Sequence, residues 1–456
     1  MMDNFVRSTV DPAVMNAYQW MDWIVMEHHE LSFCEKKRTR KYTSLHPITR
    51  VQLRHYLDAT EPAVQARIRQ RLAGKPFGFL IDAWTGAGTH FAAIIAVTPS
   101  LSDGSTAEKF LLVFSPFVDE ADMGADSLID LLDYAMDVYG LTLDLLMFYV
   151  CDHASVNGAL SSRTDVPMIG CASHRLQLAV RWLLEPEANQ RVIQKVHDLM
   201  TRLSTLKHRH ALRQAGALMP VVNNTTRWSS TYDMIDRYFD IAELIDNSNP
   251  KLLDVLLTPR EEVKLKVIFD WMKNFESVSK RLQAGGVGEK EASLLDVRRL
   301  FDAVIKDFPI TAKYLSATAS TVVKSPHFEA GVVKVLSGKE RKLKPSEITA
   351  LSRLENYNNG GEVNNDEPLS FAERVLRQST TQPPSRYIDL RWIPSTSNEV
   401  ERLFSRAGLV FSVYRRAMHP TTLETLLFLV YNRDLWDPQL VAAGVRQVGR
   451  RTRQRV

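Results

Sequence analysis

Two aspartates stand at the ends of apolar runs that have the composition of buried strands. Asp82 ends the first such run, in LIDAWT, and Asp152 ends the fourth, in FYVCDHAS. If these strands are adjacent and parallel, their carboxyl ends bring both carboxylates to one point at the edge of the sheet. Such a pair requires a cation, and oxygen ligands suit Mg²⁺ or Mn²⁺. Two ions about 4 Å apart would serve an in-line displacement; the alternative is that each Asp only caps a turn.

The elements that must position these aspartates follow from the spacing of apolar residues. The runs PFGFLIDAW, HFAAIIAVT and KFLLVFSPF are separated by turn residues and predict a three-stranded antiparallel meander. The segment ADSLIDLLDYAMDVYG has leucines at helical spacing and predicts a helix that ends at Gly140. The run LDLLMFYVCD predicts a fourth strand, parallel to the first because a helix crosses over between them. Strand–strand–strand–helix–strand is the order in which an RNase H-like domain begins.

A third carboxylate, Glu401, lies in the segment 393–432. It stands in an otherwise apolar helical stripe formed by Val400, Leu403, Phe404, Ala407 and Gly408. A second helix follows, with Thr421 and Glu424 at capping-box spacing before LETLLFLV. The residues alone leave two interpretations open: a two-helix core or dimer segment with an incidental acid, or part of a site.

The order of residues in this segment strongly resembles the C-terminal dimerisation region of hAT-family transposases. In that family a serine-rich stretch leads into Glu-Arg-x-Phe-Ser and then a Gly, and the matching residues here are Ser397, Glu401, Arg402, Phe404, Ser405 and Gly408. The resemblance implies metal-dependent DNA strand cleavage and transfer. It implies that Asp82, Asp152 and Glu401 are catalytic and bind Mg²⁺ or Mn²⁺. We place Arg402 among the residues that contact DNA.

Other blocks of the chain extend the resemblance. The stretch LIDAWTGAGTHFAAIIA looks like the family's first block, and CDHASVN looks like its second, usually Asp-Asn-Ala-x-Asn. Here His153 replaces the first Asn, Asn157 lies one residue late, and Val400 stands where Ser is common. The blocks CASHRLQLAV and TTRWSS match the family's Cys-x-x-His and Thr-Arg-Trp-x-Ser. They imply a DNA-handling role for Cys171, His174, Arg227 and Trp228, with Trp228 holding a flipped base.

Each of these residues also has a structural interpretation. Cys171 and His174 are an incomplete zinc site, so a buried Cys and a hydrogen-bonded His are the alternative. Trp228 and Trp84 are either exposed rings that stack on bases or packed core residues. The residues that we assign to dimerisation are ordinary core residues in the alternative interpretation: Phe404, Leu409, Leu426, Leu427 and Leu429.

Composition restricts the possible classes of protein. The chain has 456 residues, of which 45% are apolar and 24% charged, with a net charge of +4 and three cysteines. The composition indicates a globular protein, and three cysteines, too few for a disulfide framework, favour a reducing compartment. The sequence also has no apolar run long enough to span a bilayer and no signal-peptide pattern. No cysteine pair with a downstream histidine pair precedes residue 77, so the family's zinc finger is not expected. We predict a nuclear protein that binds DNA as a homodimer or higher homo-oligomer.

The predicted fold is an α/β and α protein with an RNase H-like mixed sheet interrupted by an all-helical insertion. We place a helical region at 1–75, the first part of the sheet domain at 76–185 and the insertion at 186–384. The last part of the sheet domain and the C-terminal helical dimerisation segment follow at 385–436, with a final strand at 386–394. A basic tail at 437–456 completes the chain, and we expect its residues 444–456 to be disordered. Two further functions stay open: a domesticated, non-enzymatic dimeric DNA- or chromatin-binding protein, and a stand-alone RNase H-like nuclease.

Overall fold

The structure is a computed structural model, and it describes residues 10–86, 88–100, 106–116, 125–224, 227–285, 289–356, 385–411 and 418–454. The chain divides into two compact units. The first unit is Met1–Ile169 with Lys334–Val456, and the second is Gly170–Val333. The predicted insertion, 186–384, overlaps the second unit, and its predicted end lies outside the described residues.

The first unit contains a five-stranded mixed sheet with the strand order β3-β2-β1-β4-β5. The strands are β1 (Phe77–Gly86), β2 (Thr89–Pro99), β3 (Ala107–Pro116), β4 (Leu146–Cys151) and β5 (Met168–Gly170). Strand β2 is antiparallel to both β1 and β3, and β4 is parallel to β1. The predicted meander, crossover and parallel fourth strand are therefore confirmed, and a mixed sheet of this kind is compatible with an RNase H-like domain. The three-residue strand β5 was not predicted.

The helices of the first unit that precede the sheet or connect its strands begin and end at recognisable residues. They are α1 (Pro12–Met26), α2 (Lys37–Tyr42), α3 (Arg50–Leu72), α4 (Ala125–Tyr139) and α5 (Ser155–Thr164). Helix α3 begins with a capping box in which Thr49 and Gln52 satisfy each other's backbone N–H groups. Helix α4 ends at Tyr139, just before Gly140, which adopts a φ of +63°. The hydroxyl of Tyr139 donates to the Leu112 carbonyl at 3.0 Å and fixes α4 to β3.

The second unit is built from helices around one apolar core. They are α6 (Ala172–Leu184), α7 (Glu187–Leu203), α8 (Leu206–Gln214), α9 (Trp228–Ile241), α10 (Pro259–Gln283), α11 (Leu294–Asp307), α12 (Ala312–Leu315) and α13 (Pro326–Leu336). Arg175 crosses this core with a 3.3 Å ion pair to Glu329. It also donates to the carbonyls of Tyr314, Leu315 and Ser316. An arginine that is 4% exposed is tolerated because each of these acceptors meets its guanidinium.

The C-terminal part differs from two predictions. Its helices are α14 (Pro345–Ala350), α15 (Asn398–Val410), α16 (Pro420–Tyr431) and α17 (Pro438–Gln454). The strand predicted at 386–394 is wrong, since only an isolated bridge joins Tyr387 to Glu355. Asp389 binds the backbone and side chain of Arg391 and turns the chain there. The predicted disorder of the tail is also wrong, because α17 runs to Gln454.

Two contacts explain how these C-terminal helices are held. The amide of Asn432 both donates to and accepts from the backbone of Leu111, at 2.9 and 3.2 Å, which satisfies polar groups on the edge strand β3. Gly444 of α17 lies so close to α3 that a Cβ atom there would sit 2.3 Å from the Ala59 carbonyl oxygen. In the described part of the chain, no helix is long and apolar enough to cross a membrane.

Candidate active site

A β-bulge determines which residue of β4 stands opposite Asp82. Phe77 pairs with Leu146, but Gly78 pairs with Phe148, so the register shifts by one residue at this point. The pairs continue to Leu80 and Val150, and two further steps along each strand reach Asp82 and Asp152. Without the bulge, Cys151 would stand opposite Asp82. Neighbouring strands lie about 4.8 Å apart, so this register, continued past Val150, sets Asp152 beside Asp82. The expectation that Asp82 ends the first strand is wrong, because β1 continues to Gly86 in pairing with β2.

The carboxylate of Asp152 is oriented by the residues that follow it. Asn157, in the first turn of α5, donates from Nδ2 to Oδ1 of Asp152 at 2.6 Å, and the backbone N–H of Ala154 donates to the same oxygen at 3.0 Å. Asn157 is 8% exposed, so this amide is fixed by its surroundings. In the sequence, Asn157 lies one residue later than the family's Asp-Asn-Ala-x-Asn spacing. The structure shows that five residues of separation, through the start of a helix, still place its amide on the carboxylate.

Helix α15 lies on the sheet face that carries Asp82. Side chains alternate along a strand, so Asp82 and Trp84 share one face. The ring of Trp84 stacks on the ring of Phe404 in α15, with 6.0 Å between their centroids. The ring of Phe114 in β3 contacts the Phe404 ring at 6.3 Å. Gly408 also lies against Trp84, since a Cβ atom there would be 3.9 Å from the indole. Base stacking and packing were both expected of Trp84; here it joins α15 to β1, and base stacking by it stays a prediction.

The direction of α15 follows from contacts at its two ends. Glu399 pairs with Lys109 of β3 at 3.9 Å, and through β2 this lysine is level with Gly78 near the start of β1. Phe411, just after the helix, contacts Phe91, which pairs with Trp84 near the end of β1. Helix α15 therefore runs in the direction of β1. Residues one turn before Phe404 lie near the level of Asp82.

Glu401 lies on the flank of α15 that faces away from β3. It follows Glu399 by two residues, which is about 200° around a helix axis. Since Glu399 points to Lys109 of β3, Glu401 points towards the opposite side, where β4 lies beyond β1. Arg402 donates to Glu399 at 2.6 Å, so its guanidinium also lies on the Glu399 side. The three predicted acids therefore come from β1, from the residue after β4 and from the flank of α15 opposite Lys109. That they meet at one site stays a prediction.

A divalent cation would meet oxygen donors from these residues. Mg²⁺ and Mn²⁺ prefer carboxylate oxygens as ligands, so the residue types Asp, Asp and Glu suit either ion. Within the described residues, no group of three or more His, Cys, Asp or Glu side chains is close enough to hold a metal ion. The metal-binding role of Asp82, Asp152 and Glu401 stays a prediction.

The second unit holds the other residues that the resemblance assigned to DNA. Cys171 is buried at the start of α6, and His174 lies one turn into that helix. Arg227 precedes α9, where Ser230 donates to its carbonyl at 2.7 Å. The exposed indole expected for base stacking is not observed, because Trp228 is 6% exposed and packs in the apolar core of this unit. Polar neighbours in sequence did not reveal that this ring begins a helix and points inward.

A cavity of about 610 Å³ nevertheless lies beside Trp228 in the second unit. Its walls combine aromatic side chains with cations and amides. They include Trp182, Trp228, Arg181, Arg227, His197 and Asn223. His197 and Asn223 contact each other at 2.6 Å, which fixes the amide at the wall. The cavity residues Arg181, Trp182, His197 and Asn223 were not predicted as site residues, because they lie in three separate segments of the sequence.

The residues assigned to dimerisation have two kinds of surroundings. Phe404, Leu426, Leu427 and Leu429 are buried within a single copy of the chain, at 0–7% exposure. Leu409, on the outer face of α15, is 70% exposed. A dimer surface on this segment would therefore use Leu409 and its exposed neighbours, while the other four residues pack inside the protomer.

Comparisons with known proteins include a structural likeness to a transposase complex. No protein-family model matches the chain, and no curated protein matches it either. Among solved structures, the "Drosophila P element transposase strand transfer complex" is similar over 95% of this chain and 94% of that chain. The identity is 11% and the TM-score is 0.36. At this level the likeness decides neither fold nor function.

Proposed function

We propose that this protein is an hAT-like transposase or a transposase-derived protein that cleaves and transfers DNA strands in a metal-dependent reaction. Asp82, Asp152 and Glu401 are its proposed metal ligands, and Mg²⁺ or Mn²⁺ is the proposed ion. The observation that supports this proposal is the register shift between β1 and β4, because continuing the pairing from Leu80 and Val150 sets Asp152, rather than Cys151, beside Asp82.

The chain's own residues have separate tasks in this proposal. When bound, the divalent ions would supply the positive charge that a phosphodiester needs at its attacking and leaving oxygens. Asn157 holds one oxygen of Asp152 at 2.6 Å, which orients the carboxylate. The stacked rings of Trp84 and Phe404 form an apolar wall beside Asp82 and limit the access of water. Glu401 would complete the ligand set from α15.

Contacts with DNA are proposed for both units. In the second unit, the cavity beside Trp228 offers an aromatic wall, the Arg227 guanidinium and the Asn223 amide, which suit an unpaired base next to a phosphate. Cys171 and His174 support this region from α6. In the first unit, Arg402 would reach the backbone, and Leu409 would contribute to a homodimer. Residence in the nucleus follows from this function and belongs to the same proposal.

A cleavage assay with matched variants tests the function. Fluorescent hairpin and nicked duplex oligonucleotides would be incubated with the full chain, with and without Mg²⁺ or Mn²⁺. We expect metal-dependent nicking that falls by about a hundredfold or more in Asp82→Asn and in Glu401→Gln. Glu399→Gln is the matched control, because it removes a glutamate two residues away on the flank of α15 that faces Lys109. It should keep most of the activity.

The assay also separates the other functions. Salt-sensitive DNA binding without cleavage would instead identify a non-enzymatic DNA-binding protein. Cleavage by a chain that sizes as a monomer at micromolar concentration would indicate a stand-alone nuclease. Equal losses in Glu399→Gln and Glu401→Gln would contradict the assignment of the third ligand.

A further inference from the structure

A second cavity lies in the first unit, and its lining does not include Asp82, Asp152 or Glu401. Its volume is about 520 Å³, and side chains of α3, β3, α4 and α16 line it. Leu131, Phe428 and Tyr134 supply apolar and aromatic wall, and Tyr134 is 58% exposed. A cavity of this size accommodates a small organic molecule.

Two carboxyl groups, from distant parts of the sequence, enter this apolar cavity. Glu61 of α3 accepts a hydrogen bond from the Thr425 hydroxyl at 2.8 Å, and Glu424 of α16 accepts one from the Ser115 hydroxyl at 2.9 Å. Asp130 of α4 adds a third carboxylate to the lining. Two hydroxyl donors fix the orientation of the glutamates without neutralising their charge.

In the described part of the chain, the cations that act on these glutamates are Arg54, which lowers the pKa of Glu61, and His419, which lowers the pKa of Glu424. Among the described residues, no lysine, arginine or histidine lies within ion-pair distance of Glu61 or Glu424. Arg54 is the cation that lowers the pKa of Glu61, but it binds Asp58 at 2.8 Å and also Thr422. Burial raises the pKa of both glutamates, and the charge of Glu61 raises that of Glu424 further. An added cation would therefore relieve a real electrostatic cost.

The character of the walls selects the kind of cation. A hydrated metal ion needs several oxygen ligands around it, whereas apolar and aromatic side chains make up most of this lining. An alkyl chain, in contrast, is matched by Leu131 and Phe428. The Tyr134 ring can face a cation with its π surface. An organic cation satisfies both the acidic and the apolar part of the cavity.

We propose that this cavity binds the ammonium group of an aliphatic amine, with Glu61 and Glu424 as the charged partners and Leu131, Tyr134 and Phe428 around its methylene chain. This site is independent of the proposed DNA chemistry. The ammonium can come from a free polyamine or from a lysine side chain, and both present the same group at the end of a chain of methylenes.

Calorimetric titration of the full chain tests this proposal. The probes are 1,5-diaminopentane, spermidine and Nα-acetyl-lysine amide, with 1-pentanol as a neutral probe of similar length. We expect saturable binding of at least one amine and none of the alcohol. Glu424→Gln and Glu61→Gln should each weaken binding about tenfold, which is about 1.4 kcal/mol. Leu131→Trp should block binding by filling the cavity while both glutamates remain.

The control is Asp133→Asn, which removes an exposed negative charge one turn after Asp130 in α4 but outside the cavity lining. It should leave amine affinity within about twofold of the original, since an exposed charge is screened by solvent. Thermal unfolding of each variant shows whether it is folded.

Binding of diamines alone assigns the site to a free amine, and binding of the lysine amide alone assigns it to a lysine of another protein. No amine binding, equal binding by the alcohol, or full affinity in the double glutamine variant would overturn the proposal.

Discussion

Replacing Gly78 by alanine should strongly destabilise the first unit, because Gly78 is the residue that makes room for the bulge between β1 and β4. A Cβ atom at this position would lie 2.2, 2.3 and 2.6 Å from three carbons of the Phe148 ring. That ring is fully buried and packs against Trp392, with 5.2 Å between centroids. Since it cannot swing into solvent, either the strands separate or the register changes.

The magnitude follows from this enclosure. Overpacking a core by one methyl group costs about 1–3 kcal/mol, and a rigid ring at this distance places Gly78→Ala near about 3 kcal/mol. The matched variant is Gly408→Ala, the same chemical change in the last turn of α15. There the new methyl would be 3.9 Å from Trp84, an ordinary contact. Alanine is a better helix former than glycine, so this variant should gain about 0.5–1 kcal/mol.

Urea unfolding combined with amide hydrogen exchange measures both effects. Exchange in β1 and β4 should accelerate in Gly78→Ala, while exchange in α10 of the second unit should keep its rate. The double variant with Phe148→Leu should recover more than about 1 kcal/mol, because it removes part of the ring that alanine meets. An unfolding free energy of Gly78→Ala within about 0.5 kcal/mol of the original would refute the idea that Phe148 fixes this register.

Three further predictions concern buried polar groups. Asn157→Leu should reduce strand cleavage about 10–100-fold while binding DNA normally, because the carboxylate at 2.6 Å loses the amide that orients it; equal loss of binding would argue against this role. Arg175→Met should destabilise the second unit by about 3–5 kcal/mol, as seen in urea unfolding, because Glu329 would stay buried without its partner, and Glu329→Gln should restore part of the loss. The pKa of Glu61 and of Glu424 is raised in the folded state, so the folded protein holds their protons more tightly and loses stability as pH rises above 4.5 through the raised values. The double glutamine variant should therefore gain stability over the original as pH rises, and a constant difference in urea midpoint would contradict this.

The period of apolar residues was sufficient to predict the meander, α4 and the parallel fourth strand. Each of these elements buries a regular pattern, and Gly140 marks the end of α4. The bulge at Gly78 could not be predicted in the same way, because it depends on which ring of β4 meets a glycine of β1. The alignment of Asp82 with Asp152 is thus a tertiary property, although both residues were identified from the sequence.

The errors have a common physical origin in long-range packing. In 386–394, Leu390, Trp392 and Ile393 are all buried, so the segment anchors the core as an irregular chain rather than as an alternating strand. The tail carries Val441, Val445 and Val448 at helical spacing, but the contact of Gly444 with α3 is what gives α17 a partner. Trp228 looked exposed because its sequence neighbours are polar, yet the first turn of α9 directs it inward.

Crystals soaked with Mn²⁺ would test the central claim most directly. Anomalous scattering locates the ion independently of any model of the side chains. The account predicts a peak about 2.0–2.2 Å from carboxylate oxygens of Asp82 and Asp152, with Glu401 directed to it from α15, and its loss in Asp82→Asn. A peak bound elsewhere, or none at this end of β1 and β4 at saturating Mn²⁺, would contradict the account.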